Sequence, residues 1–162
     1  MKYISHRGNQ NKIIEKYENN PEYIIDAILN GYDVEIDIWI DKDNIYLGHD
    51  YNKFKINETF LIENRNKFWI HAKNDQALFF LISSKSNYNF FWHENDKFTI
   101  TSHGFIWTHF NTNKEYLRKN LYVNKKTILT LPELIDKDFN YNINPNYYYG
   151  ICSDQIDQYR KR

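Results

Sequence analysis

The chain has 162 residues, and its 21 lysine and arginine residues balance 21 aspartate and glutamate residues, so that the formal net charge at pH 7 is zero. This balance leaves no basic surplus of the kind that nucleic-acid-binding domains carry, and we expect no nucleic-acid partner. An aromatic content of 18% argues against disorder, and the length suits one domain with its own core, spanning residues 1–162.

The sequence also bears on the compartment of the protein. No apolar stretch near the N-terminus has the length of a signal peptide, and no segment approaches a membrane span. The single cysteine, Cys152, cannot form a disulfide within the chain and lies in an apolar run that favours a small core residue. A lone cysteine fits a reducing compartment, and we expect a soluble protein of the cytoplasm.

The first half of the chain alternates between strand and helix patterns. Residues 3–6 predict a short strand. Asn20 followed by Pro21 is typical of a helix start, because asparagine caps the first turn and proline suits its first position; Gly31 marks the end of that helix. Alternation over residues 33–40 predicts a strand. The elements expected next are a turn at 41–44, a strand at 45–47, a helix at 57–66, a strand at 68–73 and a helix at 75–83.

The second half carries more strand signals than helix signals. Strands are expected at 89–93, 98–101, 105–108, 127–131 and 147–153, and helices at 114–119 and 154–160. Too few residues lie between the strands at 98–101 and 105–108 for a helix to join them. Alternating strands and helices imply parallel strands with helical crossovers, and we expect about six to eight strands in one α/β domain.

Three polar clusters stand out near the start of the chain, and each lies at or within a predicted strand. They are His6-Arg7-Gly8, Glu35-Ile36-Asp37 and His49-Asp50. Taken singly, each has an ordinary explanation: a strand end with a turn glycine, the solvent face of a strand, and a loop. Burying unpaired charged groups is costly, so three such clusters at strand ends favour a functional site.

The residue types in these clusters suit metal-assisted phosphate chemistry. Glu35 and Asp37 are two positions apart on a strand and share one face, and two close carboxylates resist ionisation unless a cation lies between them. Oxygen ligands of this kind suit Mg2+ or Ca2+. His71 and Lys73 repeat the same spacing on the following strand, where His71 would complete the metal site and Lys73 would contact a phosphate oxygen.

The remaining basic groups suggest how a phosphate would be held and cleaved. Arg7 offers a planar guanidinium that matches phosphate oxygens. His6 and His49 are a candidate acid–base pair, because imidazole titrates near neutral pH and one ring can accept a proton while the other donates one. Asp50 would orient a neighbour or cap the next segment.

The order and spacing of the clusters resemble the signature of the glycerophosphodiester phosphodiesterase family. In this chain 27 residues separate Arg7 from Glu35, and 11 separate Asp37 from His49. Further likeness lies in Glu18-Asn19, which looks like the Glu-Asn pair after the family's first strand, and in residues 149–154, which resemble its last strand. The resemblance is specific over residues 3–50, weaker around 68–73, thin over 74–146 and visible again at 148–154.

The resemblance implies a TIM-barrel fold of the phospholipase-C-like group and assigns roles to the same residues. His6 and His49 would be the acid–base pair, and Arg7 and Lys73 would bind phosphate. Metal ligands would be Glu35, Asp37 and, where the family usually has a glutamate, His71. Because imidazole is neutral and softer than carboxylate, this exchange weakens the case for Mg2+ or Ca2+ and adds Mn2+ or Zn2+ as candidates.

The length of the chain modifies the fold that the resemblance implies. A full barrel of eight strand–helix units takes about 250 residues, so we expect a reduced TIM-barrel-like (β/α) barrel with several outer helices missing in its second half. The family insertion that shapes the glycerol pocket is also lacking, so the family's substrate does not transfer directly.

Three further residues have two interpretations each. His93 would either line the site or lie in a surface loop. Trp107 would be either a core residue or part of a wall that stacks on a sugar. Glu133 would contact substrate hydroxyls or, as the more favoured role, cap a helix.

The functional prediction is a metal-dependent phosphodiesterase that hydrolyses a small glycerophosphodiester-like phosphodiester. The first alternative is a catalytically degenerate barrel that binds a phosphorylated sugar or headgroup without cleaving it. The second is a transferase or lyase on the same barrel, which would use the same histidines and end with a transferred or cyclic product.

Overall fold

The structure is a computed structural model that describes residues 1–109, 124–135, 144 and 146–160. Its strands are β1 (Lys2–His6), β2 (Asp33–Asp41), β3 (Asn44–Leu47), β4 (Phe54–Ile56), β5 (Phe68–Ala72), β6 (Phe90–Phe91), β7 (Phe98–Ile100), β8 (Ile106–Thr108), β9 (Asn124–Thr130) and β10 (Tyr148–Ser153). Its helices are α1 (Pro21–Leu29), α2 (Glu58–Asn64), α3 (Asp75–Ser83), α4 (Pro132–Ile135) and α5 (Ile156–Arg160). None of these helices has the length and apolar character needed to cross a membrane.

The ten strands of the described residues form one mixed sheet. Its main path runs β6-β5-β2-β1-β10-β9-β8-β7, and neighbours on that path are parallel except for β7 with β8. The last residues of β2 pair antiparallel with β3, which pairs antiparallel with β4. Parallel strands end at the same edge of a sheet, so the carboxyl ends of β1, β2, β5, β6, β8, β9 and β10 share one rim.

Alternation along β2 divides its side chains between the two faces of the sheet. Val34, Ile36 and Ile38 are fully buried in a core that also contains apolar residues of α1, α2 and α3. Glu35 and Asp37 occupy the intervening positions and therefore lie on the opposite face, which is concave. The helices thus cover the outer face, and the two carboxylates point into the interior of the curl.

Aromatic rings from distant strands meet on the concave face. The ring centroid of Trp69 on β5 lies 5.8 Å from that of Trp107 on β8 and 6.2 Å from that of Tyr149 on β10. Phe91 of β6 stacks on Trp107 at 4.7 Å. Cys152 is fully buried in the same cluster with a free thiol, which confirms it as a small core residue. Contacts between strands so far apart on the path require the sheet to curl, and the architecture is a curled α/β half-barrel.

Most elements of the first half lie where the sequence predicts them. Asn20 begins α1 by accepting hydrogen bonds on Oδ1 from the N–H groups of Glu22 and Tyr23, at 2.8 and 3.3 Å. Gly31 follows the helix with φ +90°, the conformation that a helix-ending glycine supplies. Each of the nine segments predicted as strands has a counterpart in the structure, and the tenth strand, β4, is not predicted. It has only three residues, which is too few to show alternation. The main path of the sheet has eight strands, within the expected six to eight, and β3 and β4 lie off it.

The described part of the second half has short helices and closely spaced strands, as its sequence predicts. β7 and β8 form an antiparallel hairpin, so no helix lies between them. β6 covers two residues of the expected strand at 89–93, and α4 is a single turn of four residues between β9 and β10. The helix expected at 114–119 lies outside the described residues. The described helices of this half are therefore short, as expected of a reduced barrel.

Asn74 joins α3 to the end of β2 and is expected to matter for stability. Its Oδ1 accepts hydrogen bonds from the N–H groups of Ala77 and Ile40, at 3.0 and 3.2 Å, and its Nδ2 donates to the Ile40 carbonyl oxygen at 2.8 Å. Loss of these bonds in Asn74→Ala is expected to lower the free energy of unfolding by about 2 kcal/mol. Chemical denaturation measures this change.

The matched control is Asn57→Ala at the start of α2. Asn57 accepts one capping hydrogen bond, from the Phe60 N–H at 2.9 Å, and its replacement is expected to cost about 1 kcal/mol. Equal losses for the two variants would show that the link from Asn74 to β2 contributes nothing beyond capping.

Candidate active site

Strand register brings the polar clusters together at the rim. His6, at the end of β1, is the register neighbour of Glu35 on β2, and Asp37 on β2 is the register neighbour of His71 on β5. The side chains of Glu35, Asp37 and His71 point to the concave face. Residues that are up to 65 positions apart in the chain are therefore adjacent, because parallel strands of the same sheet end together.

Glu35, Asp37 and His71 offer ligand atoms to a common point. One such atom from each residue lies within 4.8 Å of the others. His71 Nδ1 is 3.0 Å from Asp37 Oδ1 and 4.0 Å from Glu35 Oε1. Two donors at right angles around a divalent ion, each at about 2.1 Å from it, would lie about 3.0 Å apart. The spacing of these side chains therefore matches ligands of one cation.

The ring of His71 is oriented as in metal-binding histidines. Its Nε2 lies 3.0 Å from the carbonyl oxygen of His93. Since a carbonyl only accepts, Nε2 carries the proton, and in the neutral ring Nδ1 presents its lone pair to the two carboxylates. Asp37 Oδ1 and Glu35 Oε2 accept no hydrogen bond from any described residue. A lone pair that faces carboxylate oxygens calls for a cation between them, and the outer N–H held by a backbone carbonyl is the usual support of such a ligand.

The two carboxylates have opposite electrostatic environments. Burial raises the pKa of Glu35 to about 7, and the neighbouring Asp37 charge adds to this effect. Burial acts in the same direction on Asp37, but nearby positive charge, that of Arg7 above all, outweighs it and holds the pKa of that carboxyl well below its usual range. Asp37 is thus a permanent anion, whereas Glu35 needs a cation to remain ionised at neutral pH.

Arg7 and Lys73 supply positive charge beside the carboxylates. Arg7 Nε lies 3.0 Å from Asp37 Oδ2, and Arg7 Nη1 donates to Glu18 Oε2 at 3.1 Å. Lys73 Nζ lies 3.8 Å from Asp37 Oδ1. Burial alone would lower the pKa of Arg7, but Asp37, Glu35 and Glu18 raise it above its ordinary value. Both side chains are therefore cations held at the site.

Asn19 fixes the position of Asp37 on two sides. Its Nδ2 donates to Asp37 Oδ2 at 2.9 Å, and its Oδ1 accepts from the Asp37 N–H at 3.0 Å. Arg7, Asn19 and Leu131 have positive φ angles of 53°, 60° and 45°, in the left-handed region. Non-glycine residues in this region cost free energy and cluster at functional sites.

His6 is held by a buried aspartate at the end of β10. Its Nδ1 lies 2.8 Å from Asp154 Oδ1, which also accepts from Asn9 Nδ2 at 2.8 Å. Because an ionised carboxylate only accepts, Nδ1 carries the proton, and Nε2 lies towards Glu35 Oε2 at 3.8 Å. Burial and the Arg7 charge lower the pKa of His6, but Asp154 and Glu35 outweigh them and raise it.

Glu133 holds the end of β10 that leads into Asp154. Its Oε1 accepts hydrogen bonds from Ser153 Oγ at 2.7 Å and from the Asp154 N–H at 3.1 Å, and its Oε2 accepts from the Tyr159 hydroxyl at 3.2 Å. The sequence favours a helix-capping role for Glu133 over contact with substrate. Glu133 does lie in the first turn of α4, and its carboxylate also ties β10 to α5 and thereby fixes the backbone that carries Asp154.

His49 reaches the site on the loop that follows β3. Gly48 donates its N–H to the Asp37 carbonyl oxygen at 3.1 Å, which anchors the loop beside the carboxylates. Only glycine fits there, because φ is 151° and an added Cβ would lie 2.1 Å from the Tyr51 carbonyl oxygen. His49 Nδ1 lies 2.6 Å from Asp50 Oδ1, so Asp50 orients the ring.

Two cavities meet at this rim. The first has a volume of about 470 Å3 and the second about 700 Å3. The residues that line both are His6, Arg7, His49 and Leu131. The basic and imidazole groups therefore stand at the junction of two spaces, with the carboxylate cluster beside the first.

The predicted site residues are gathered in one place. Those lining the first cavity are His6, Arg7, Glu35, His49, His71 and Lys73. Asp37 has no exposed surface and lies behind them. Of the residues with two interpretations, His93 lines the cavity, and Trp107 is a core residue with 4% exposure that reaches its wall.

Several residues that hold the site have no role that the sequence predicts. They are Asn9, Glu18, Asn19 and Asp154. The resemblance marks Glu18-Asn19 and the end of the last strand without saying what they contact. Asn9 gives no signal in the sequence, because its buried amide is recognisable only from its partners.

Comparisons with known proteins returned no match: no family model matches the chain, and no curated protein or solved structure shows significant similarity to it.

Proposed function

We propose that the chain is a metal-dependent phosphodiesterase acting on a small phosphodiester. The observation that supports this most strongly is the cluster of Glu35, Asp37 and His71, whose ligand atoms lie within 4.8 Å of one another. The cavity beside this cluster is also lined by His6, His49, Arg7 and Lys73. Metal ligands, phosphate-binding cations and an acid–base pair are the components that such chemistry needs. As part of the same proposal, the half-barrel is a reduced TIM barrel of the glycerophosphodiester phosphodiesterase type.

The donor set of the cluster fits a divalent ion. It contains two carboxylates and one imidazole nitrogen, and two of its carboxylate oxygens accept no hydrogen bond from the described residues. Mg2+ and Ca2+ suit the carboxylates, and Mn2+ and Zn2+ also suit the imidazole. An ion held by Glu35, Asp37 and His71 would stabilise negative charge on the phosphate oxygens.

The remaining residues divide the other tasks of the reaction. Arg7 and Lys73 bind the phosphate oxygens and stabilise the charge that develops on them. One of His6 and His49 removes the proton of the attacking hydroxyl as its oxygen bonds to phosphorus. The other donates a proton to the departing alcohol oxygen as its bond to phosphorus breaks. If the attacking hydroxyl belongs to the substrate, the product is a cyclic phosphate, which water opens with the histidine roles reversed.

The two cavities suit the two sides of a phosphodiester. A phosphate at their junction would contact His6, Arg7 and His49, and each alcohol group would extend into one cavity. Both volumes lie in or near the range of about 300–1,000 Å3 that is usual for small-molecule sites. A phosphate monoester has only one alcohol group and would leave one cavity empty, so this arrangement favours a diester.

The deciding experiment is an assay of mixed glycerophosphodiesters with Mg2+, Ca2+ and Mn2+, followed by phosphorus NMR. Conversion to a monoester supports hydrolysis, and accumulation of a cyclic phosphate supports the lyase alternative. Binding of the same esters without any conversion would replace the proposal by the degenerate barrel that grips a phosphorylated sugar or headgroup.

Asp154→Asn is expected to lower kcat by about 100-fold or more with little change in KM. Asp154 holds the proton of His6 on Nδ1, and its charge stabilises the protonated ring. An amide at this position removes that charge and no longer selects one tautomer. The test combines steady-state kinetics with nitrogen NMR of the His6 ring, which distinguishes the two tautomers.

The control for this variant is Asp26→Asn on the exposed side of α1. It is expected to leave both kinetics and ring spectra unchanged. A loss of kcat in Asp154→Asn while the His6 ring keeps its proton on Nδ1 would contradict the positioning role.

A further inference from the structure

Trp39, near the end of β2, joins the strand that carries two of the proposed metal ligands to residues 48–53, the His49 loop. Residues two apart on a strand share a face, so Trp39 lies on the same side of β2 as Asp37. Its indole Nε1 donates a hydrogen bond to the Gly48 carbonyl oxygen at 2.6 Å. Trp39 lines neither of the two cavities, so its side chain is not placed to contact a substrate.

The indole bond holds the peptide group that joins Gly48 to His49. A peptide group is planar, so fixing the Gly48 carbonyl oxygen also fixes the direction of the His49 N–H. The preceding peptide group is held as well, because the Gly48 N–H donates to the Asp37 carbonyl oxygen at 3.1 Å. Both peptide groups around Gly48 are therefore tied to β2, one to its backbone and the other to the Trp39 side chain.

The contact that the His49 ring makes is too exposed to set the position of this residue. Asp50 Oδ1 lies 2.6 Å from His49 Nδ1, but the Asp50 side chain is 82% exposed. Exposed charged pairs contribute little, because solvent screens them and the side chains lose freedom. His6 differs, since its partner Asp154 has a side chain that is 5% exposed and also accepts a hydrogen bond from Asn9. A buried aspartate thus places His6, whereas the backbone of its loop places His49.

We propose that Trp39 is a positioning residue that holds the His49 loop in place beside the metal ligands. The inference rests on the proposed function only for the part that His49 plays in the reaction, because the anchoring of the loop does not depend on it. Without the indole N–H, the peptide group between Gly48 and His49 is no longer held, and the ring is not kept at the junction of the cavities. A displacement of about 1 Å at a reacting group costs about 100-fold in rate.

The first test is nitrogen NMR relaxation of the metal-free protein, which needs neither metal nor substrate. In the intact protein the backbone order parameter of His49 is expected to be about 0.85, as in rigid backbone, although the residue lies in a loop. Trp39→Phe keeps an aromatic ring but lacks the donor, and the order parameter of His49 is expected to fall below about 0.6. A value below about 0.6 in the intact protein, or an unchanged value in the variant, overturns the inference.

The matched control is Ile45→Val on β3, the strand that pairs with the end of β2. Ile45 is buried in the apolar core, so loss of one methyl group destabilises the same hairpin without touching the indole. This variant is expected to unfold at a lower temperature and to keep the order parameter of His49. An equal loss of order in Ile45→Val and Trp39→Phe would mean that Trp39 acts only through the stability of the hairpin, which overturns the inference.

Thermal unfolding checks that Trp39→Phe folds. If it does not fold, hydrogen exchange in the intact protein decides. The Trp39 indole N–H is expected to exchange at least about 10-fold more slowly than that of Trp92, whose side chain is exposed. Equal exchange rates for the two indoles would overturn the inference.

The second test is a double-variant cycle on a diester that the protein cleaves. Trp39→Phe alone is expected to lower kcat by about 10-fold to 100-fold with little change in KM. Added to His49→Ala, the same substitution is expected to cause less than about 2-fold further loss, because an effect that passes through His49 disappears with that ring. A full further loss in the His49→Ala background would mean that Trp39 acts by another route, which overturns the inference.

The anchoring and the proposed function fail in different ways. If no diester is cleaved, the phosphodiesterase is refuted, and a loss of order at His49 in Trp39→Phe still supports the anchoring. If diesters are cleaved and the order parameter of His49 is the same with and without the indole, the anchoring is refuted and the phosphodiesterase stands.

Discussion

Glu35→Gln is expected to abolish divalent-metal binding and to lower phosphodiester turnover by about 100-fold to 1,000-fold. Glu35 lies on the concave face with one carboxylate oxygen 4.0 Å from His71 Nδ1 and the other without a hydrogen bond from the described residues. Glutamine keeps the size of the side chain but lacks the negative charge. The measurements are thermal shifts with Mg2+, Ca2+, Mn2+ and Zn2+, together with turnover.

The same substitution is expected to stabilise the metal-free protein at alkaline pH. Burial raises the folded-state pKa of Glu35 from the ordinary 4.5 to about 7, so the folded state holds this proton more tightly than the unfolded state does. Its contribution to stability is full below pH 4.5 and is lost as the pH rises through about 7. Glutamine does not titrate, and Glu35→Gln avoids this loss.

A Glu35→Gln variant that gains stability but loses metal binding has lost a ligand, whereas a damaged fold would lower both quantities. A metal-free variant that is at least as stable as the parent at pH 8, yet shows no metal-induced shift, fits the assignment. Glu63→Gln, on the exposed surface of α2, is the control and is expected to change neither quantity. A full metal-induced shift in Glu35→Gln would remove Glu35 from the metal site.

The parts of the site that sequence could predict are those set by strand periodicity. Alternation along residues 33–40 places Glu35 and Asp37 on one face, and the same period places His71 and Lys73 two positions apart on the next strand. Parallel pairing then makes Asp37 and His71 neighbours. These inferences need only local patterns and one rule of topology, and the structure agrees with the placement.

The supporting contacts could not be predicted because they depend on distances between segments with no shared pattern. Asp154 bonds to His6 across 148 positions of the chain, and Asn9 bonds to the same carboxylate across 145. Glu133 reaches that strand end from a four-residue helix that carries no periodic signal. Short elements and long-range side-chain bonds are determined by packing of the whole domain, which no local window contains.

The hydrogen bonding of Thr108 and Thr130, at the ends of β8 and β9, also escapes sequence analysis, for a different reason. Threonine at a strand end is ordinary, and the two relevant threonines look alike in the sequence. They differ because the hydroxyl of Thr108 is used by the backbone of β9, whereas that of Thr130 has no partner in the described part of the chain. This difference depends on which hydrogen bonds form in the folded structure, and the sequence does not show them.

His6→Ala and His49→Ala are each expected to lower kcat by about 100-fold or more, the usual contribution of an acid–base group. Both side chains stand at the junction of the two cavities, and each has a carboxylate on Nδ1, at 2.8 Å for His6 and 2.6 Å for His49. That pairing directs Nε2 of each ring away from its carboxylate. Steady-state and single-turnover kinetics on a cleaved diester measure the loss.

The double variant provides the sharper test. If the two imidazoles act as a unit in one proton-transfer sequence, combining the substitutions is expected to cost little more than either alone, because removing one partner already disables the other. If the loss of kcat in the double variant equals the product of the two single losses, the two rings have independent roles, for example with one ring binding substrate. His103→Ala, on an exposed turn outside both cavities, is the control and is expected to keep full activity. Normal turnover in both single variants would refute the acid–base assignment, whereas unchanged metal binding in the same variants would leave the assignment of Glu35, Asp37 and His71 standing.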